Sequence, residues 1–250
     1  MARVSRRELL VASVAAMSAR AQAARGFVLV HGAWHGGWCW EEVVKRLAKA
    51  GHAAVAPTLT GLSERARELT PQVNLSTHVM DVVGACANFE RVTLVGHSYA
   101  GLVITAALDA LSEKVDRLVY LDAFVPANGQ TGFDLMKPGY VERWRAKAKN
   151  GAVPPMLSSK AMGVDDAALA KSVDAKLTPH PIATFESKVT FDEATWKRVK
   201  KTYVRCAKYA GFGPTATRAK TLGMTVHSLD CGHDAMLAAP AALAELLVRE

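Results

Sequence analysis

Short apolar runs alternate with longer amphipathic stretches along most of the chain. Glycine or proline stops several of the runs, which is typical of buried strands, and the stretches between them have helical spacing. The pattern predicts strands over residues 27–30, 53–56, 92–95, 115–125, 203–206 and 224–229, and helices over 41–50, 76–87, 102–111 and 238–249. Gly51 is expected to end the first helix and Ser76 to cap the second. Because such alternation needs crossover connections, we predict an α/β fold, a mostly parallel sheet with helices on both faces.

Residues 126–196 interrupt this alternation. Prolines and glycines cluster there, around short amphipathic pieces at residues 141–149 and 165–175. A long insertion between two strands of a parallel sheet is able to cover the carboxyl ends of the strands, where ligands bind in such folds. We therefore expect a cap insertion over about 126–196, within one domain that spans residues 24–250.

The first 23 residues differ from the rest. A basic beginning, a short apolar middle and the sequence AQA at residues 21–23 resemble an export signal, and SRR at residues 5–7 resembles a twin-arginine signal. This predicts a periplasmic or secreted protein. The alternative is that residues 1–23 form a basic helix that is not removed, and that the protein is cytoplasmic. Removal of residues 1–23 lowers the formal charge from +8 to about +5.

The remaining composition argues against several classes of partner. No apolar run approaches the roughly 18 residues that span a membrane, so no membrane contact is expected after signal removal. Basic clusters at residues 143–149 and 197–201 lack a nucleic-acid-binding motif and are interpreted as solvated helix faces. The four cysteines form no C-x-x-C pair and are predicted to be structural thiols, with a Cys206–Cys231 bridge as the alternative.

The segment RVTLVGHSYAG, residues 91–101, carries the strongest chemical signal. A strand run ends abruptly, small residues surround Ser98, and a helix follows at once. This arrangement is typical of a nucleophile elbow, in which a strained turn exposes the serine hydroxyl at a helix N-terminus. An ordinary strand-to-helix turn is the alternative.

A nucleophilic serine needs a base and an oxyanion hole. His233 alone among the eight histidines follows the last predicted strand and precedes the last helix, in the order expected of a base; an inert surface histidine is the alternative. The main-chain N–H groups of Tyr99 and Ala33 are the predicted oxyanion donors. His31 and His35 lie in a glycine-rich loop without further ligands, so no metal is expected.

Five motifs together resemble the α/β-hydrolases of the methylesterase and hydroxynitrile lyase family: FVLVHGAWHGGWCW, APTLTGL, LVGHSYAG, YLDAFVP and CGHDAML. The resemblance runs from about residue 27 to the C-terminus. It implies an α/β-hydrolase fold, with Ser98 as nucleophile, His233 as base, and Ala33 with Tyr99 as the oxyanion hole.

The chain departs from the family pattern at the acidic residue that is expected to orient the histidine base. Plant members carry an aspartate in C-x-x-D, where this chain has Tyr209. Asp122 follows an apolar strand, has the right chain order, and resembles the acid position of some haloalkane dehalogenases; we therefore predict Asp122. A cap for the turn before Pro126 is the alternative role of Asp122, and Asp230 and Asp234 are weaker candidates because they share the short loop of His233.

Two further departures concern neighbours of these groups. Ala100 stands in place of the last glycine of G-x-S-x-G, a change between small residues. In the lyase branch a threonine replaces Gly32 and a lysine replaces Asp234, so these positions favour an esterase.

We predict a serine hydrolase that cleaves small carboxylic esters through an acyl-enzyme, with a small-molecule ester as partner and no cofactor. The alternatives are a carbon–carbon lyase and a non-catalytic small-ligand receptor on the same fold. Apolar side chains of the first loop and the cap are predicted to line an acyl pocket, with a place in the core as the alternative: Trp34, Trp38, Trp40, Phe133, Leu135, Met136, Trp144 and Met156.

Overall fold

A computed structural model describes residues 25–250; the export signal predicted over residues 1–23 lies outside the described residues and stays a prediction. The strands are β1 (Arg25–Val30), β2 (Ala53–Val55), β3 (Arg91–His97), β4 (Val115–Leu121), β5 (Ala152–Val153), β6 (His180–Pro181), β7 (Lys200–Cys206) and β8 (Thr225–Leu229). Six of them form one parallel sheet in the order β2-β1-β3-β4-β7-β8. The predicted fold class, α/β with a mostly parallel sheet, is confirmed.

Helices cover both faces of this sheet, and further helices lie in the segment between β4 and β7. In chain order the helices are α1 (Glu41–Lys49), α2 (Leu75–Ala85), α3 (Ala100–Ala106), α4 (Pro138–Lys147), α5 (Ala167–Asp174), α6 (Ala183–Glu186), α7 (Glu193–Arg198), α8 (Gly213–Thr221), α9 (Ala235–Ala238) and α10 (Pro240–Arg249). Phe27 and Leu29 of β1 pack with α1 and α10, whereas Val28 and Val30 pack with α2 and α3 on the opposite face. Because both faces are covered, the strand is apolar at every one of these positions. None of the helices within residues 25–250 has the length and apolar character needed to cross a membrane.

The predicted cap of the second helix is wrong by two residues. Helix α2 begins at Leu75, and its N-cap is Asn74, whose side chain accepts hydrogen bonds from the N–H groups of Ser76 and Thr77. The Thr77 hydroxyl accepts from the Asn74 N–H in return, which completes a capping box. Gly51, in contrast, follows the end of α1 with φ 86°, as predicted.

Two elements end four or more residues earlier than predicted. The helix expected over 102–111 is α3, which ends at Ala106, and the Leu108 N–H then bonds to the Thr105 carbonyl, a three-residue spacing that tightens the backbone. The strand expected over 115–125 stops at Leu121 because Asp122 turns into the left-handed region with φ 41°. This early stop places Asp122 at the carboxyl edge of the sheet.

The segment between β4 and β7 holds α4 to α7 and the antiparallel pair β5–β6. It is joined to the loop after β1, because the Trp34 indole N–H donates to the Val153 carbonyl at 3.2 Å and the Thr178 N–H donates to the Trp34 carbonyl at 2.9 Å. It also contacts the loop after β8, where the Asp234 N–H donates to the Met162 carbonyl at 2.9 Å. The insertion therefore lies against the loops at the carboxyl edge of the sheet.

Candidate active site

Ser98 lies at the turn between β3 and α3, with φ 54° in the left-handed region. A residue other than glycine is strained there, as at a nucleophile elbow. Gly96 permits the close turn, because a Cβ at this position would lie 2.7 Å from the Ala100 carbonyl oxygen. The Ser98 carbonyl accepts hydrogen bonds from the N–H groups of Gly101 and Phe124, at 3.2 and 3.1 Å. These bonds hold the serine at the amino end of α3.

Asp122 and His233 form a buried hydrogen-bonded pair although 111 residues separate them. His233 Nδ1 lies 2.7 Å from Asp122 Oδ2, and since a carboxylate oxygen accepts, Nδ1 carries the proton. The Cys206 N–H donates to the other oxygen, Asp122 Oδ1, at 3.2 Å. The carboxylate is completely buried, so this pairing compensates its desolvation.

The elbow also holds the loop that carries His233. His97 precedes Ser98 in the chain, and its Nε2–H donates to the main-chain carbonyl of His233 at 3.0 Å. The two imidazole rings lie 4.5 Å apart. His97 was not among the residues singled out from the sequence, because the variable position of G-x-S carries no signal for a contact with a loop that follows the last strand.

Aromatic rings cover the imidazole of His233. Tyr209 stacks on it with ring centroids 4.5 Å apart, and Phe212 stacks at 5.3 Å with an interplanar angle of 8°. Tyr209, at the position where the family pattern has an aspartate, therefore stacks on His233. The two rings cover the imidazole of His233 and restrict the orientation of its plane.

The loop after β1 is held close to the elbow. His31 Nε2 accepts from the Leu59 N–H at 3.0 Å, and a Cβ on Gly32 would lie 2.8 Å from His97 Nδ1 and 3.0 Å from Ser98 Cβ. Ala33 follows and lines the same cavity as Ser98. Tyr99 lies at the amino end of α3, where a helix N-terminus favours negative charge. Its side chain is buried and its hydroxyl donates to His78 Nδ1 at 2.9 Å.

Replacement of Gly32 by Ala is expected to lower kcat by about 10- to 100-fold, since a Cβ at this position displaces the loop after β1 from Ser98. The matched control is Gly84→Ala in α2, where an added Cβ meets no described atom within 4 Å apart from its chain neighbours and the backbone of its own helix. Steady-state kinetics on an ester substrate checks both variants. Wild-type kcat in Gly32→Ala would contradict the close-approach argument.

Burial keeps four histidines around the site neutral. It lowers the pKa of His31 to about 3 and that of His78 to about 4. It lowers the pKa of His97 and of His180 well below the usual value, and neighbouring histidines add to the effect. These rings therefore act as fixed hydrogen-bonding groups near neutral pH.

A cavity of about 120 Å³ opens beside Ser98, His233 and Ala33. Its other lining residues are mostly aromatic or apolar: Trp34, His35, His97, Phe124, Met136, Tyr140, Trp144, Met156, Leu157, Met162, Phe185, Tyr209 and Phe212. Four of the residues predicted to line an acyl pocket line this cavity, namely Trp34, Met136, Trp144 and Met156. Trp38, Trp40, Phe133 and Leu135 lie outside the lining, and Trp40 is completely buried in the core.

The remaining candidate groups occupy other positions. The side chain of Asp230 is 85% exposed and lies 3.2 Å from Lys208 Nζ, whereas Asp234 is completely buried beside His35. Cys206 and Cys231 are free thiols. Within the described part of the chain, no group of three or more His, Cys, Asp or Glu side chains is arranged to hold a metal ion.

The family model described as the alpha/beta hydrolase family matches residues 27–246. The chain belongs to the α/β hydrolase family. This hydrolase is 35% identical to the "Carbendazim hydrolyzing esterase" of Nocardioides sp. (strain SG-4G), over 88% of its own length and 97% of that protein. It is 36% identical to Methylesterase 2 of Arabidopsis thaliana, over 40% of each chain.

Solved structures share the architecture. An extracellular alpha/beta-hydrolase from a Paenibacillus species superposes with a TM-score of 0.77 at 23% identity, covering 90% of this hydrolase and 98% of that chain. The methylesterase MES16 from Arabidopsis superposes with a TM-score of 0.67 at 23% identity, over 90% and 97% of the two chains. At these identities the likeness shows the fold alone. Together with the names of the relatives, the family match confirms the predicted family and the class of carboxylic ester hydrolase.

Proposed function

We propose that this hydrolase cleaves small carboxylic esters through a triad of Ser98, His233 and Asp122, by way of an acyl-enzyme. The observation that carries the proposal is the 2.7 Å bond between His233 Nδ1 and Asp122 Oδ2, beside the cavity that Ser98 and His233 line. Because this bond holds the proton on Nδ1, the neutral ring keeps a lone pair on Nε2. That nitrogen is the one required of a general base.

In the proposed reaction, Ser98 Oγ attacks the ester carbonyl carbon while His233 Nε2 takes the hydroxyl proton. The buried Asp122 carboxylate stabilises the resulting imidazolium. The N–H groups of Ala33 and Tyr99 donate to the oxyanion of the tetrahedral intermediate. As the intermediate collapses, the alcohol leaves with the proton from His233, and a water molecule then cleaves the acyl-enzyme by the same route. No step requires a cofactor.

The cavity supports a substrate with a flat, apolar acyl group and a small alcohol. Its volume of about 120 Å³ leaves little room beyond one ring of an acyl group. Aromatic side chains such as Trp34, Trp144 and Phe185 are available to pack on that ring. The names of the relatives, a methylesterase and a carbendazim-hydrolysing esterase, agree with this class. Methyl esters of small aromatic acids are the substrates that we propose.

The same geometry disfavours the two alternatives. A threonine at position 32 would collide with the elbow, and Asp234 is a buried acid where the lyase branch has a lysine. A non-catalytic receptor does not need the buried Asp122 carboxylate to be hydrogen-bonded to His233 beside a serine that lines the same cavity.

The full chain is expected to react once per molecule with a fluorophosphonate probe and to release p-nitrophenol from p-nitrophenyl acetate in a burst, because Ser98 becomes acylated. Ser98→Ala is expected to lose both signals. Intact-mass spectrometry measures the adduct, and methyl benzoate and carbendazim serve as further substrates. Absence of adduct and turnover in the wild-type protein, or an adduct retained by Ser98→Ala, would contradict the proposal.

A further inference from the structure

A second histidine–aspartate pair lies beside the proposed triad. His35 Nε2 is 3.3 Å from Asp234 Oδ2, and the two side chains are 1% and 0% exposed. His35 lines the cavity, and Asp234 follows His233 directly in the chain. The proposed mechanism uses neither residue.

The contacts of His35 determine where its protons lie. Nδ1 is 2.9 Å from the Ala33 carbonyl oxygen, which only accepts, so Nδ1 carries a proton. In a neutral ring, Nε2 would then carry a lone pair, and this lone pair would repel the nearby Asp234 carboxylate. A proton between Nε2 and the carboxylate removes the repulsion.

Asp234 needs this partner because it is buried. Apart from the contact with His35 Nε2 at 3.3 Å, neither of its carboxylate oxygens has a hydrogen-bond partner among residues 25–250. The other imidazole within 4 Å, His97 Nε2 at 3.9 Å, already donates to the His233 carbonyl. An isolated carboxylate is costly in such a place, so pairing with a protonated His35 is its compensation.

The charges around His35 support the protonated form. Burial opposes the charge, but the Asp234 carboxylate and the Ala33 carbonyl together more than offset it and raise the pKa of His35. His97 faces the ring with centroids 6.3 Å apart, and Trp38 stacks on it at 5.6 Å. The Lys176 ammonium lies 5.1 Å from the Trp38 ring. His31 also interacts electrostatically with His35, and burial keeps His31 and His97 neutral.

The pair joins the two loops whose alignment the reaction requires. His35 holds the carbonyl of Ala33, whose N–H is a proposed oxyanion donor, and Asp234 belongs to the loop of the base. Trp34, between Ala33 and His35, has φ 67°, so the oxyanion loop is strained and needs an external restraint.

We propose that His35 and Asp234 are a positioning pair that aligns the oxyanion loop with the base loop while one proton is shared between them. The inference rests on the proposed ester hydrolysis. Loss of that proton at alkaline pH leaves a lone pair facing a carboxylate, and the loops separate. The pair therefore affects stabilisation of the transition state more than substrate binding, because the oxyanion of the transition state accepts a hydrogen bond from the Ala33 N–H.

The test uses the full chain with two substitutions at one position. Asp234→Ala is expected to lower kcat about 100-fold per fluorophosphonate-reactive site with little change in KM, because a misplacement of about 1 Å has that effect. Affinity for a boronic acid, which forms a tetrahedral adduct with the serine hydroxyl, should fall by a similar factor. Asp234→Asn is expected to recover most of kcat, since its amide N–H is able to donate to the lone pair of a neutral His35. It is also expected to lack the alkaline fall of kcat that the proposal predicts for the wild-type protein.

Asp230→Asn, on the same loop but exposed, is the matched control and should behave like the wild-type protein. A merely structural role would lower thermal stability or the reactive fraction while kcat per reactive site and the pH profile stay unchanged. That result in Asp234→Ala, or a wild-type pH profile in Asp234→Asn, would overturn the inference. Failure of the proposed hydrolysis is distinguishable, because the wild-type protein would then show neither labelling nor turnover.

Discussion

The Asp122→Asn variant is expected to retain its fold and lose about 10⁴-fold in kcat, the size of effect seen when a triad aspartate becomes an amide. The replacement keeps the shape of the side chain, and its oxygen still accepts from the Cys206 N–H, which now bonds to Asp122 Oδ1 at 3.2 Å. The amide NH₂ would then face His233 Nδ1 at the present 2.7 Å contact. An N–H facing Nδ1 favours the tautomer with its proton on Nε2, and such a ring is unable to take the proton of Ser98.

Stopped-flow and steady-state assays on p-nitrophenyl acetate measure this loss, and circular dichroism checks the fold. Asp230→Asn is the control, because Asp230 is exposed and paired with Lys208. Near-wild-type activity in Asp122→Asn, together with a crippled Asp234→Asn, would move the role of the acid to Asp234.

The free energy of unfolding is expected to fall by several kcal/mol between pH 7 and pH 4. In the unfolded chain His31 and His78 take up protons near their ordinary pKa of 6.5, whereas in the folded chain their pKa values are lowered to about 3 and about 4. Between these values the unfolded state binds more protons, so stability is fully present above pH 6.5 and is lost as the pH falls. Each pH unit costs about 1.4 kcal/mol per group, which is large beside a total of about 5–15 kcal/mol.

Urea unfolding at a series of pH values measures this loss. His78→Gln is expected to reduce the slope of stability against pH, because it removes one of the groups that take up a proton on unfolding. Met80→Gln places the same side chain on the exposed face of α2, where Met80 is 64% exposed, and should keep the wild-type slope. Equal slopes in all three proteins would show that His78 is not a source of the acid sensitivity.

Local features of the chain were predicted well. The continuous apolar runs identified the strands because both faces of a parallel sheet are buried, and Phe27 to Val30 show this pattern in full. Gly96, Ser98 and their small neighbours predicted the elbow, because a strained turn tolerates few residue types. Boundaries were less reliable: Asn74 competes with Ser76 as a cap, and the left-handed turn at Asp122 is not visible in an apolar run.

The sequence by itself determined the α/β class, the elbow and the position of a late histidine, because each depends on residues close together in the chain. Only the tertiary structure decided which groups meet. It brings Asp122 to His233 across 111 residues, stacks Tyr209 on His233, and pairs His35 with Asp234. These contacts depend on which strands are neighbours and where each one stops. Separation along the chain carries no such information, because parallel strands converge at one edge of the sheet whatever the length of the crossovers between them.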